Sequence, residues 1–110
     1  MIDGIYQITF RGAVDWGIGI LHLKDEVITG ADVGGVLYDG VYSGQGEKFK
    51  FDLTCTVPPG VSLVQGTPPQ SNEYSFKFSL DLAKKDLESQ QPVLIQLPPG
   101  PVNVIFKRLR

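Results

Sequence analysis

Polar and apolar residues alternate along most of this chain, and the alternation is sharpest in two segments. Over residues 47–55, Phe49, Phe51, Leu53 and Cys55 share one face while Lys48, Lys50, Asp52 and Thr54 share the other. Over 73–81, Tyr74, Phe76, Phe78 and Leu80 oppose Ser75, Lys77 and Ser79. A period of two with one apolar and one polar face predicts strands of an antiparallel sheet. Weaker versions of the pattern predict further strands at 4–10, 16–24, 26–30, 35–43, 92–97 and 102–109; the 16–24 segment, WGIGILHLK, is apolar on both faces. Gly, Pro or Asp punctuate the short connections RGAVD, KD, SGQG and PPGP, as tight turns require. A short helix is expected over 80–89, where Leu80 and Leu87 are seven residues apart. The longest irregular stretch, 57–72, holds four prolines and reads as a functional loop or lid.

Eight short strands with almost no helix fit either an up-and-down barrel or a sandwich. The order reads as successive hairpins, which favours an all-β, eight-stranded up-and-down antiparallel barrel spanning residues 1–110 as one domain. An eight-stranded interior is either just filled by side chains or holds one small ligand; filling is the simpler expectation here. Gly17, Gly19 and Gly40 fall inside strands, where glycine is favoured by a bend, a bulge or close backbone approach. Gly34 and Gly35 supply the freedom to turn into the fourth strand.

Composition narrows function mainly by exclusion. The 110 residues carry ten Lys and Arg against twelve Asp and Glu, a net charge of −2. That balance offers no basic field for nucleic acid and no acidic tail. Cys55 stands alone and shares the apolar face of its strand, so it is expected to be a buried structural thiol. The opening MIDGIYQITF lacks the charged and apolar regions of a signal peptide, and no stretch is long and apolar enough to cross a bilayer as a helix. A cytoplasmic location without membrane contact is the expectation.

Candidate chemistry is sparse. His22 is the only histidine, and no Gly-x-Ser-x-Gly elbow accompanies it, so neither a histidine metal site nor a serine triad can be built. No catalytic residue and no cofactor are expected. Asp32 follows Thr29-Gly30-Ala31 and is expected to close an Asx-turn. The aromatic residues project mainly to the inner face and fill a core first. Were the interior open, Tyr6, Trp16, His22, Tyr38, Tyr42 and Phe76 would line it, hydroxyls and imidazole supplying its few polar groups. On the outer face, Ile5, Leu37, Val41 and Ile105 are apolar and would suit a homodimer interface.

Four motifs occur in order: DGIYQITF, GIGI, ITGAD and LYDGVYSG. Together they resemble the GrlR family of small bacterial proteins, named for a negative regulator of a type III secretion gene cluster. The resemblance covers about residues 3–44. It implies a lipocalin-like eight-stranded barrel, usually paired as a homodimer, acting on another protein such as a transcriptional regulator. It also implies that the loop after the fourth strand, with Gln45 and Glu47, meets that partner. In the named regulator this loop carries a Glu-Asp-Glu-Asp run; here it reads SGQGEKF with a single acid. Without those charges, the electrostatic complementarity that such a contact depends on is missing. The expectation is therefore a non-enzymatic interaction or regulatory protein. A carrier or sensor for a small apolar ligand, admitted past the 57–72 loop, is the alternative.

Overall fold

The alternating segments become eight strands: β1 (Gly4–Arg11), β2 (Trp16–Lys24), β3 (Val27–Asp32), β4 (Leu37–Gln45), β5 (Lys48–Val57), β6 (Tyr74–Ala83), β7 (Val93–Leu97) and β8 (Gly100–Arg108). The computed structural model describes residues 2–110. Every paired neighbour is antiparallel, and the order is β6-β5-β4-β3-β2-β1-β8-β7. The chain thus winds up and down into a nearly closed barrel, with its seam between β6 and β7. Opposed inward residues fix the register: Phe51 faces Leu80, Leu53 faces Phe78 and Cys55 faces Phe76. A slip of one residue would turn all of these toward water.

One expectation is corrected at the end of β6. Residues 80–83 do not begin a helix, because the period of two continues through Leu80 and Leu82 against Phe51 and Phe49 of β5. The helix α1 (Lys84–Glu88) is only five residues long and starts where Lys84-Lys85-Asp86 breaks the alternation. The Asp86 carboxylate accepts the Ala83 N–H at 2.8 Å, tying off the first turn. Gln90, at φ 56°, then redirects the chain toward β7. α1 packs against β8 and β6, near the seam, and buries Leu87.

The two ends of the barrel differ. At one end, which forms a floor, Ile2, Tyr6, Leu23, Ile28, Tyr42, Phe51 and Leu87 are almost wholly buried. The Tyr6 hydroxyl donates to the Ile2 carbonyl at 2.7 Å, and the Tyr42 hydroxyl donates to Asp3 Oδ1. Asp3 also accepts the Asp25 N–H from the β2–β3 turn, where Asp25 and Glu26 both have the positive φ of a two-residue hairpin. The bond from Tyr42 and that from Asp25 hold the Asp3 carboxyl below its usual range, while burial and Asp3 push the Tyr42 phenol up to about 12. The other end gathers the loops at 12–15, 33–36, 58–73 and 98–99. A second apolar cluster lies beneath them, with Val36, Cys55 and Val57 packed by Tyr38, Val61, Leu63, Tyr74, Phe76 and Phe78.

Candidate functional site

Between the floor and the loop end, the barrel is not filled. A cavity of about 250 Å³ lies inside, walled by residues from all of its strands. β1 contributes Ile8 and Phe10, β2 contributes Gly17 and Leu21, and β5 contributes Phe51, Leu53 and Cys55. Phe76, Phe78, Leu80 and Leu82 of β6, Ile95 and Leu97 of β7, and Val102, Val104 and Phe106 of β8 complete the apolar wall. The expectation that side chains alone would fill the interior fails at this level.

The long loop supplies the roof. Val61, Ser62, Leu63, Val64 and Gln65 face the cavity, and the Val64 carbonyl accepts both the Val14 N–H (2.9 Å) and the Asp15 N–H (3.1 Å). Gly12 makes that contact feasible, since a Cβ there would lie 2.5 Å from the Val64 oxygen. Within the loop, Leu63 N–H donates to Thr67 O and Gly66 N–H to Leu63 O, a compact local turn. The lid is therefore fastened to the β1–β2 loop at one residue.

Polar groups enter the cavity only near this roof. Asp32 is the last residue of β3, and alternation turns it inward with Ile28 and Gly30. Its Oδ1 accepts the Gly34 N–H at 2.9 Å, the expected Asx-turn, and the Val36 N–H at 3.1 Å. Its Oδ2 accepts the Tyr38 hydroxyl at 2.8 Å. Burial, reinforced by the neighbouring carboxylate, holds the Tyr38 phenol far above its ordinary range. The same two causes push the Cys55 thiol up to about 12, which favours its protonated form in the cavity wall. Asp15, Ser62 and Gln65 complete the polar portion of the lining.

Of the six residues expected in an open interior, the structure brings three to the cavity. Tyr38 and Phe76 belong to its wall, and Trp16, 58% exposed, stands at its rim. Tyr6 and Tyr42 point inward but belong to the floor, below the cavity. His22 is a clear correction: it is exposed on the outer face. The inner face of β2 is Gly17, Gly19, Leu21 and Leu23, so Ile18, Ile20 and His22 face out. Phe10 lies directly across from Gly17 and its ring covers the bare backbone, 2.6 Å from where a Cβ would sit.

The residues expected at an interface also separate. Leu37 and Val41 are 50% and 53% exposed on the outside of β4, whereas Ile5 and Ile105 are half-buried on β1 and β8. Ile20 and Val27, which that expectation did not include, are exposed between them on β2 and β3. Register places Ile20 beside Ala31 and Ala31 beside Leu37, and Val27 beside Val41. Gln45 and Glu47 are exposed at the tight β4–β5 turn by the floor, where the Glu47 carbonyl accepts the Lys84 N–H of α1 at 2.8 Å. Among the described residues, no three His, Cys, Asp or Glu come together to hold a metal ion. Among those residues, too, no helix is long and apolar enough to cross a membrane.

Sequence reasoning pointed to the long loop as a lid but not to Val61–Gln65 as the residues that roof the cavity, and it missed the inward Asp32. The second was signalled by its even spacing from Ile28, the first by little beyond the apolar Val61, Leu63 and Val64 in an otherwise polar loop. Compared with protein-family models and with curated proteins, the chain matches none.

Proposed function

We propose that this chain is a non-enzymatic binding module whose barrel takes up one small apolar molecule. The cavity carries the reading: about 250 Å³, mainly apolar with its polar groups at the roof, and covered there by a loop held through Val64. Engineered apolar cavities of about 150 Å³ stay dry and take up benzene, so a larger one of the same character has room for a larger guest. A guest would enter at the loop end, past Val61–Gln65 and the exposed Trp16. The test is native mass spectrometry on the protein gently purified from its own host. A small adduct lost on denaturation is expected. A bare protein that also takes up no neutral apolar dye would overturn the reading.

The outer face favours a second reading, as a protein-interaction module that acts as a homodimer. Outward residues on β2–β4 form two short apolar rows, Ile20 with Ala31 and Leu37, and Val27 with Val41, separated by His22, Thr29 and Asp39. Single exposed apolar residues are ordinary, but a cross-strand group suits a twofold contact. The resemblance of residues 3–44 to the GrlR family points the same way, toward a regulatory role in a bacterial cytoplasm with a further protein as partner. Sedimentation of the wild type and of Leu37→Lys/Val41→Lys decides it: a dimer that becomes a folded monomer supports it, and a monomeric wild type refutes it.

A further inference from the structure

The cavity has a charge asymmetry that its apolar walls do not require. Its only ionic side chains are Asp15 and Asp32, both at the roof, and among the described residues no Lys, Arg or His lines it. Asp32 points inward from the end of β3 and takes its three side-chain hydrogen bonds from uncharged donors: two backbone N–H groups and the Tyr38 hydroxyl. Its charge is therefore spread over dipoles and not cancelled by a cation. Its field reaches the interior, since it helps to raise both the Tyr38 phenol and the Cys55 thiol. Aromatic rings of Phe10, Trp16 and Tyr38 stand at the same end, and ring faces attract cations.

We propose that the cavity discriminates by charge, favouring an apolar molecule with a cationic amine head over a neutral one and excluding one with a carboxylate head. This rests on the reading of the barrel as a ligand-binding module. The tail would lie against Leu21, Leu82, Val104 and Phe106, toward the floor, and the head would lie beneath the roof near Asp15 and Asp32. Scaling from benzene in an apolar cavity of about 150 Å³, the space suits roughly ten non-hydrogen atoms. Like charges at a partly desolvated rim repel strongly enough for about tenfold or greater discrimination.

Three probes with one tail test it: octylammonium, octan-1-ol and octanoate, titrated at neutral pH and followed by Trp16 fluorescence and calorimetry. The expected order of affinity is amine, alcohol, carboxylate, with at least about tenfold between the extremes and a gap that narrows with added salt. Asp15→Asn should shrink the gap several-fold while the protein stays folded, because the Asp15 carboxylate is exposed and, among the described residues, bonds only the Trp16 N–H. Octanoate binding as tightly as octylammonium would overturn the charge selectivity and leave the cavity reading standing. Failure of all three to bind folded protein would overturn both.

Discussion

A methyl group placed on Gly40 would land on the backbone of β5. A Cβ built there runs into the Asp52 carbonyl oxygen and lies 3.0 Å from both Leu53 Cα and Leu53 Cδ2. Gly40 pairs with Leu53 in the β4–β5 ladder, so the oxygen and the Cα cannot rotate away as a flexible side chain could. Gly40→Ala must therefore push β4 and β5 apart or twist them. Overpacking of this kind costs about 1–3 kcal/mol, and the obstacle being backbone puts the cost near the upper end. Lower chain entropy in the unfolded state returns about 0.4–1 kcal/mol, leaving a net loss of about 2 kcal/mol. With a urea dependence of about 1.5 kcal/mol per molar for a domain of this size, the unfolding midpoint should fall by roughly 1–1.5 M. Gly34→Ala is the matched comparison, since a Cβ there meets only Asp32 Oδ1 at 3.3 Å and Val61 Cγ1 at 3.7 Å. Its midpoint should move by less than about 0.5 M. A Gly40→Ala midpoint within about 0.3 M of wild type, or equal losses for the two variants, would refute the reasoning.

Tyr38→Phe removes the hydroxyl that donates to Asp32 at 2.8 Å and should cost about 1–2 kcal/mol, seen as a lower melting temperature by calorimetry. Alkali should weaken the fold through Cys55. The folded thiol, pushed up to about 12 from 9.0, keeps a proton that the unfolded chain releases, so stability is full below about pH 9 and is lost as pH rises toward 12. Urea midpoints measured across that range should fall less steeply in Cys55→Ala. Val104→Phe directs added volume into the cavity and should abolish uptake of an apolar dye while changing stability by less than about 1.5 kcal/mol; undiminished uptake would move the binding site elsewhere.

Strand positions were legible because sheets with one wet face write themselves into the sequence. β5 and β6 begin one residue after the expected 47–55 and 73–81 and run two residues further, since Lys and Asp alternate with Phe and Leu there. β2 was legible as a strand but not as to its faces. With isoleucines on one face and glycines on the other, hydropathy assigned the larger residues inward and took His22 with them. The better signal was Leu21 and Leu23, from which a count back by twos reaches Gly19 and Gly17. Tyr6, Tyr38 and Tyr42 share an inward orientation that alternation reports, but alternation is silent on height along the barrel. Only packing against Ile2 and Leu87 separates the floor tyrosines from the cavity tyrosine. The lid was visible as a length of loop, and its clamp was not, because a carbonyl bonded to two N–H groups carries no residue-type signature.

Inward glycines let the barrel close. β5 and β6 send in Phe51, Phe76 and Phe78, while the inward faces of β2, β3 and β4 include Gly17, Gly19, Gly30 and Gly40. A side chain at Gly19 would meet the Ala31 oxygen at 2.7 Å, and one at Gly30 would meet the Ile20 oxygen, so the neighbouring strand already occupies the place of the missing group. Sheets coil most tightly where backbone can approach backbone, and that coiling is what brings eight strands around to β8. The motif residues brace the curve: Asp3 takes the Tyr42 hydroxyl at the floor, and Asp32 takes the Tyr38 hydroxyl beneath the roof. What residues 3–44 encode is thus a bent wall with its braces.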